Sequence, residues 1–130
     1  MIHAASLRRL GAVVGLLVAA ASSLGCSSDY WVRFQFTTAA PAAVVVESDR
    51  IELPAGLAAG VRALPMRDDE QLGDQIPVNL VSRRPSTLGV DQGVEERHFV
   101  LFGVEPGTTW VDVYFDDDFI TEIPATVVEQ

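Results

Sequence analysis

Gly103-Val104-Glu105-Pro106-Gly107-Thr108-Thr109-Trp110-Val111-Asp112-Val113-Tyr114-Phe115 is the stretch whose reading decides the fold. Pro106 presets φ for a turn, and the flanking Gly103 and Gly107 tolerate the positive φ that tight turns often need. Beyond the turn the residues alternate with period two, the pattern of a half-buried strand. Thr109, Val111, Val113 and Phe115 share one side, and Trp110, Asp112 and Tyr114 share the other. The first set is the expected core face. Arg97 to Phe102 alternates in the same way just before the turn. Asp116-Asp117-Asp118 reads as the hairpin tip after it, and Phe119 to Val128 as the last strand.

Working back towards the N-terminus, short β-branched runs recur between turn signals. Tyr30 to Phe36 alternates, with Tyr30, Val32, Phe34 and Phe36 on one side. A small-residue link follows, around Pro41. Ala43 to Glu47 and Arg50 to Leu53 read as strands, the latter closed by Pro54-Ala55-Gly56. Gly60 to Met66 follows, where Pro65 predicts an edge strand or a bulge because proline cannot donate to a ladder. Arg67 to Gln75 is a charged turn. Ile76, Val78 and Leu80 alternate, and Leu88 to Val90 forms a short strand after a turn at Pro85. No helical period interrupts this series. The reading is all-β: a sandwich of about seven to eight short antiparallel strands.

Three pieces resemble the bacterial Ig-like domains of the second group, found in invasin- and intimin-type surface proteins. Val78-Asn79-Leu80-Val81-Ser82 with Pro85 to Asp91 is similar to the family's third strand, turn and fourth strand. Gly103 to Val113 is similar to its Gly-Val-x-Pro-Gly-Thr turn and following strand. Leu53-Pro54-Ala55-Gly56 resembles the Leu-x-x-Gly that opens its second strand. Leu80 departs from the family, which usually has Trp there. The resemblance covers about residues 43 to 129 and implies an Ig-like sandwich. It implies little about function, since such modules serve many roles.

The N-terminus carries a different message. Arg8 and Arg9 precede an uncharged run from Leu10 to Ala21, the length of a signal-peptide core. A spanning helix needs roughly 20 apolar residues. The run ends in Ser22-Ser23-Leu24-Gly25-Cys26, and Cys26 is the single cysteine. This segment resembles a bacterial lipoprotein signal in relaxed form, with Gly25 at the family's small position and Ser23 where leucine is usual. The resemblance implies cleavage before Cys26 and a diacylglycerol on its thiol, with palmitate-type acyl chains. Ser27 stands where the family's inner-membrane retention signal has Asp, which favours the outer membrane. The organisation expected is therefore a signal peptide over residues 1–25, a lipidated N-terminus with spacer and extra strand over 26–42, and the Ig-like domain over 43–130.

Charge narrows the partners. The chain holds 18 acidic and 9 basic residues, and every basic residue is an arginine. Without Arg8 and Arg9 the balance is 18 against 7, a net charge of −11. Such a chain is unsuited to nucleic acid, whose affinity rests on neutralising phosphates. It is equally unsuited to docking on anionic lipid heads, which leaves the lipid anchor as the membrane partner.

Trp110, Asp112 and Tyr114 form the candidate binding surface. Flat rings beside an acid suit a glycan or another envelope protein; the alternative is that Tyr30 to Phe36 covers them or that they pack along the sheet. Asp116, Asp117 and Asp118 are weak candidates for a metal, since they lack the alternating spacing of a calcium loop; a solvated tip or an edge guard is the competing reading. The acids from Asp68 to Asp74 read the same way. His98, the one histidine after cleavage, shares a face with Val100 and Phe102. Arg83 and Arg84 at the Pro85 turn read either as a solvated pair or as a contact for a carboxylate-rich partner. There is no nucleophile–base order, zinc spacing or phosphate loop, and no cofactor is expected. The sequence points to a lipid-anchored, non-catalytic envelope module. The alternatives are an accessory subunit of a larger envelope complex and a calcium-dependent adhesion or carbohydrate-binding module.

Overall fold

The computed structural model describes residues 29–130; Cys26 and the leader lie outside the described residues. Ten strands follow one another: β1 (Tyr30–Phe36), β2 (Val45–Glu47), β3 (Arg50–Pro54), β4 (Ala58–Arg67), β5 (Glu70–Gln71), β6 (Val78–Ser82), β7 (Leu88–Gln92), β8 (His98–Gly103), β9 (Gly107–Phe115) and β10 (Asp118–Val128). They form two five-stranded sheets. One has the order β1-β4-β8-β7, with β5 paired to β4; the other has the order β2-β3-β10-β9-β6. The paths β1-β4-β8-β7 and β6-β9-β10 reproduce the ABED and CFG sheets of an Ig sandwich.

The fold class is the one read from the sequence, and two details refine it. The strands number ten because β2 and β3 form an additional hairpin between the first two sandwich strands and β5 is a two-residue bridge inside the charged 67–75 turn. The sheets are also not wholly antiparallel. β3 pairs parallel with β10, from Ile51↔Ala125 to Val128↔Pro54.

Period-two patterning explains the core. In β9, Thr109, Val111, Val113 and Phe115 point inward, with Val111 and Val113 fully buried. Ile123, Ala125 and Val127 do the same from β10, and Ile51 and Leu53 from β3. Val61, Leu88, Phe99 and Leu101 meet them from the other sheet. Each such side chain contributes about 1.5–3 kcal/mol on leaving water, and with one cysteine no intrachain disulfide supplements them. β1 is built into this sandwich rather than set apart from it. It pairs with β4 along its whole length, and Val32 is fully buried, while Tyr30 and Phe36 overhang at its two ends.

Pro65 lies in β4, an inner strand between β1 and β8, so the edge expectation does not hold for the strand as a whole. It holds locally. The β4–β8 ladder ends at Arg62↔His98, and the β4–β5 ladder begins at Met66↔Gln71. Pro65 falls in the gap, and its carbonyl accepts a hydrogen bond from the Leu72 N–H (2.9 Å) on that flank. The missing donor therefore faces no strand that needs it. Gly103 likewise has a reason other than the turn geometry expected of it. A Cβ there would lie 2.5 Å from the Pro54 carbonyl oxygen, because β8 passes directly against the Pro54–Ala55 backbone. Gly107 does take positive φ, at 154°.

Candidate binding surface

The outer face of the second sheet carries Trp110, Asp112 and Tyr114. β9 and β10 run antiparallel with Thr108↔Thr126, Trp110↔Pro124 and Asp112↔Glu122 in register. All six side chains stand outward, opposite the buried set, by the alternation of the strands. A register shift between Phe119 and Thr121 then places Phe119 opposite Tyr114. The result is a strip with four steps: a threonine pair, a Trp–Pro shelf, an acid pair and an aromatic pair. Trp110 is 41% exposed and Phe119 53%. The rings of Tyr114 and Phe119 meet edge to face at 5.8 Å, a geometry favoured by the ring quadrupole. β1 belongs to the opposite sheet, so it does not cover this strip.

Arg83, just past the end of β6, organises the strip. The β6–β9 register brings Val81 beside Asp112 and ends at Ser82↔Val111, and the Arg83 N–H donates to the Trp110 carbonyl at 3.0 Å. From there the Arg83 guanidinium donates to Asp112 Oδ1 and Oδ2 at 3.0 and 3.2 Å through Nε. Its Nη2 lies 2.8 Å from Asp112 Oδ1 and also bonds Glu122. Its Cζ lies 5.9 Å from the centre of the Trp110 ring, within reach of a cation–π contact. The hydrogen bond to Asp112, opposed by some desolvation and reinforced by Glu122, holds the Arg83 guanidinium above its ordinary pKa. A raised arginine pKa keeps the guanidinium charged, so the clamp's cation is constant across the neutral range. The sequence reading placed Arg83 at a turn and gave it no partner within the chain. The signal that could have found one was the outward parity of Asp112 combined with the β6–β9 pairing.

Beside Trp110 the surface dips into an open depression of about 440 Å³, lined by Arg83, Arg84, Thr108, Trp110, Pro124 and Thr126 among others. The backbone N–H of Arg84 donates to Ser82 Oγ at 3.3 Å. Its guanidinium makes no ion pair among the described residues.

A second arginine was missed altogether. The sequence reading made Arg97 the first residue of a strand; instead it precedes β8, takes φ 65°, and is 5% exposed. Its Nη2 donates to the carbonyls of Gly73 (2.6 Å) and Ile76 (2.9 Å), and its Nε donates to Ile76 (3.2 Å). Asp74 stands 3.8 Å from Nη1 with its own side chain almost wholly in solvent. Arg97 also borders an open pocket of about 580 Å³ between the 74–78 segment and Gln92 and Glu96. Its fork is already committed to two backbone carbonyls, so the arrangement is a clasp on the 73–76 loop.

The remaining candidates do not converge on a site. Asp116, Asp117 and Asp118 are all exposed at the β9–β10 tip, with Asp116 at φ 56°, the conformation a two-residue hairpin loop requires. Among the described residues no three His, Cys, Asp or Glu side chains gather as a metal set. His98 is partly exposed beside Glu95, with Nδ1 at 3.4 Å from Glu95 Oε2. Cys26 lies outside the described residues.

No protein-family model matches the chain, and no curated protein matches it. Among solved structures, its fold is similar to domains 4 and 5 of the S-layer protein SbsC. The TM-score is 0.50 at 18% identity, covering 74% of this chain and 54% of that one. The chain thus spans about half the length of the structure it matches. At this identity the likeness concerns the fold.

Proposed function

We propose that this chain is a lipid-anchored cell-envelope protein, held in the outer membrane, whose single Ig-like sandwich is a non-catalytic binding or structural module. The observation that carries the reading is the sandwich itself, similar in fold to domains of an S-layer protein, a class of envelope component. The leader ending at Cys26 supports it from the sequence side, by its resemblance to a lipoprotein signal. The exposed aromatic strip supplies a surface on which such a module can bind. Labelling of cells with a palmitate analogue tests the anchor. The expected result is label on the wild-type chain, none on Cys26→Ser, and release of that variant from the membrane fraction. Label that survives Cys26→Ser overturns the anchor.

A second reading is favoured by β1. Among the described residues it is an edge strand of its sheet, and one flank of its seven residues meets no ladder there. It also begins four residues after Cys26. A partner strand added to that flank would make the protein an accessory subunit of an envelope complex. Migration at monomer mass in mild detergent, with no crosslinked product, would remove this reading.

A further inference from the structure

The depression beside Trp110 has a two-sided lining. Trp110 and Pro124 give it apolar surface, while Thr108, Thr126, Arg83 and Arg84 give it polar groups. The register explains the division. Trp110↔Pro124 is one outward step of the β9–β10 ladder and Thr108↔Thr126 is the next, with Asp112↔Glu122 on the other flank. A protein hot spot wants a continuous desolvated apolar centre. Here the apolar part is one indole and one proline ring, with polar groups on both sides. A pyranose has the matching shape: a C–H face for the shelf, and a rim of hydroxyls for the groups around it.

The polar groups also suit hydroxyls, which both donate and accept. Arg83 meets its two carboxylates through Nε and Nη2, and its Nη1 makes no hydrogen bond among the described residues. That nitrogen's protons are left for a ligand oxygen, while the Glu122 side chain, 41% exposed, offers acceptors. Asp112 and Glu122 hold the guanidinium in place before any ligand arrives, so little side-chain freedom remains to be lost on binding. Charge then selects the ligand. Asp112, Glu122 and, across the β3–β10 ladder from Thr126, Glu52 repel a carboxylate. Arg83 and Arg84 line the depression itself and repel an amine. A neutral ligand meets neither penalty.

We propose that the Trp110 depression binds a neutral polysaccharide, with Trp110 as the stacking platform and Arg83 as the hydroxyl contact. This site rests on the reading of the chain as an envelope binding module, and deepens it by naming the ligand class.

Calorimetric titration of the full chain, in a mild detergent without a sugar headgroup, tests it. The probes are cellotetraose, maltotetraose and tetra-N-acetylchitotetraose, with tetragalacturonate as the acidic comparison. Saturable binding of at least one neutral tetramer is expected, weakened at least tenfold by Trp110→Ala and about tenfold by Arg83→Ala, with both variants melting like the wild type. Trp110→Phe, which keeps a flat ring, is expected to retain most of the affinity. No saturable heat with any neutral tetramer overturns the proposal. So does binding that survives Trp110→Ala, or tetragalacturonate binding as tight as the neutral probes. A photoreactive residue at Val81, exposed and in register with Asp112, supplies a further outcome. Trapping of polysaccharide in cells supports the site, and trapping of a protein instead overturns it. A chain that binds no neutral tetramer yet still loses its membrane association on Cys26→Ser sinks the glycan site while leaving the envelope module standing.

Discussion

Arg97 and Arg83 are two versions of one side chain in two dielectric settings. Arg97 is almost wholly buried and holds two loop carbonyls; Arg83 is well exposed and holds two carboxylates. By the usual intuition the ion pairs on the surface are the stronger contacts. Burial reverses that order. A guanidinium held out of water by the fold has few alternatives to the carbonyls it bonds, whereas exposed carboxylates released from an arginine are rehydrated at once, and such pairs contribute little to stability. The inner arginine holds the fold, and the outer one arranges a surface.

Three substitutions sharpen or break this contrast. Arg97→Met removes every donor to Gly73 and Ile76 and should lower unfolding free energy by about 2–4 kcal/mol, read as a drop in urea midpoint with unchanged slope. Arg97→Lys keeps the charge but cannot reproduce a fork from Nε and Nη2. It should recover part of the loss and leave a deficit of about 1–2 kcal/mol. Arg83→Ala should shift the thermal midpoint least, within the scatter of repeated melts, while altering the emission of Trp110 by removing the cation from beside its ring. An Arg83→Ala loss as large as that of Arg97→Met would break the contrast.

The sequence made one half of this picture legible. The alternation in Thr109 to Phe115 and in Phe119 to Val128 assigns inner and outer faces because a strand's period is two, and a single correct turn at Pro106 sets the phase. That is enough to place Trp110, Asp112 and Tyr114 outward. It does not bring Arg83 to Asp112, which needs the pairing of β6 with β9 and hence knowledge of the sheet order. Arg97 was further out of reach. Its burial depends on a left-handed backbone in a residue type that seldom adopts one, and on carbonyls more than twenty positions away whose orientation no side-chain pattern encodes. Pro65 gave a sound local rule at the wrong scale: the strand is internal, and only one gap in its ladder is open.

The parallel pairing of β3 with β10 has a consequence for how the chain comes to be folded. β10 is the strand synthesised last of the ten, yet it lies in the middle of its sheet, between β3 and β9. Until it arrives, β3 and its hairpin have no neighbour connecting them to β9 and β6. Closing that gap demands contacts between distant parts of the chain, which is slow. A polypeptide with this topology joins the two parts of its second sheet only when its final strand is available.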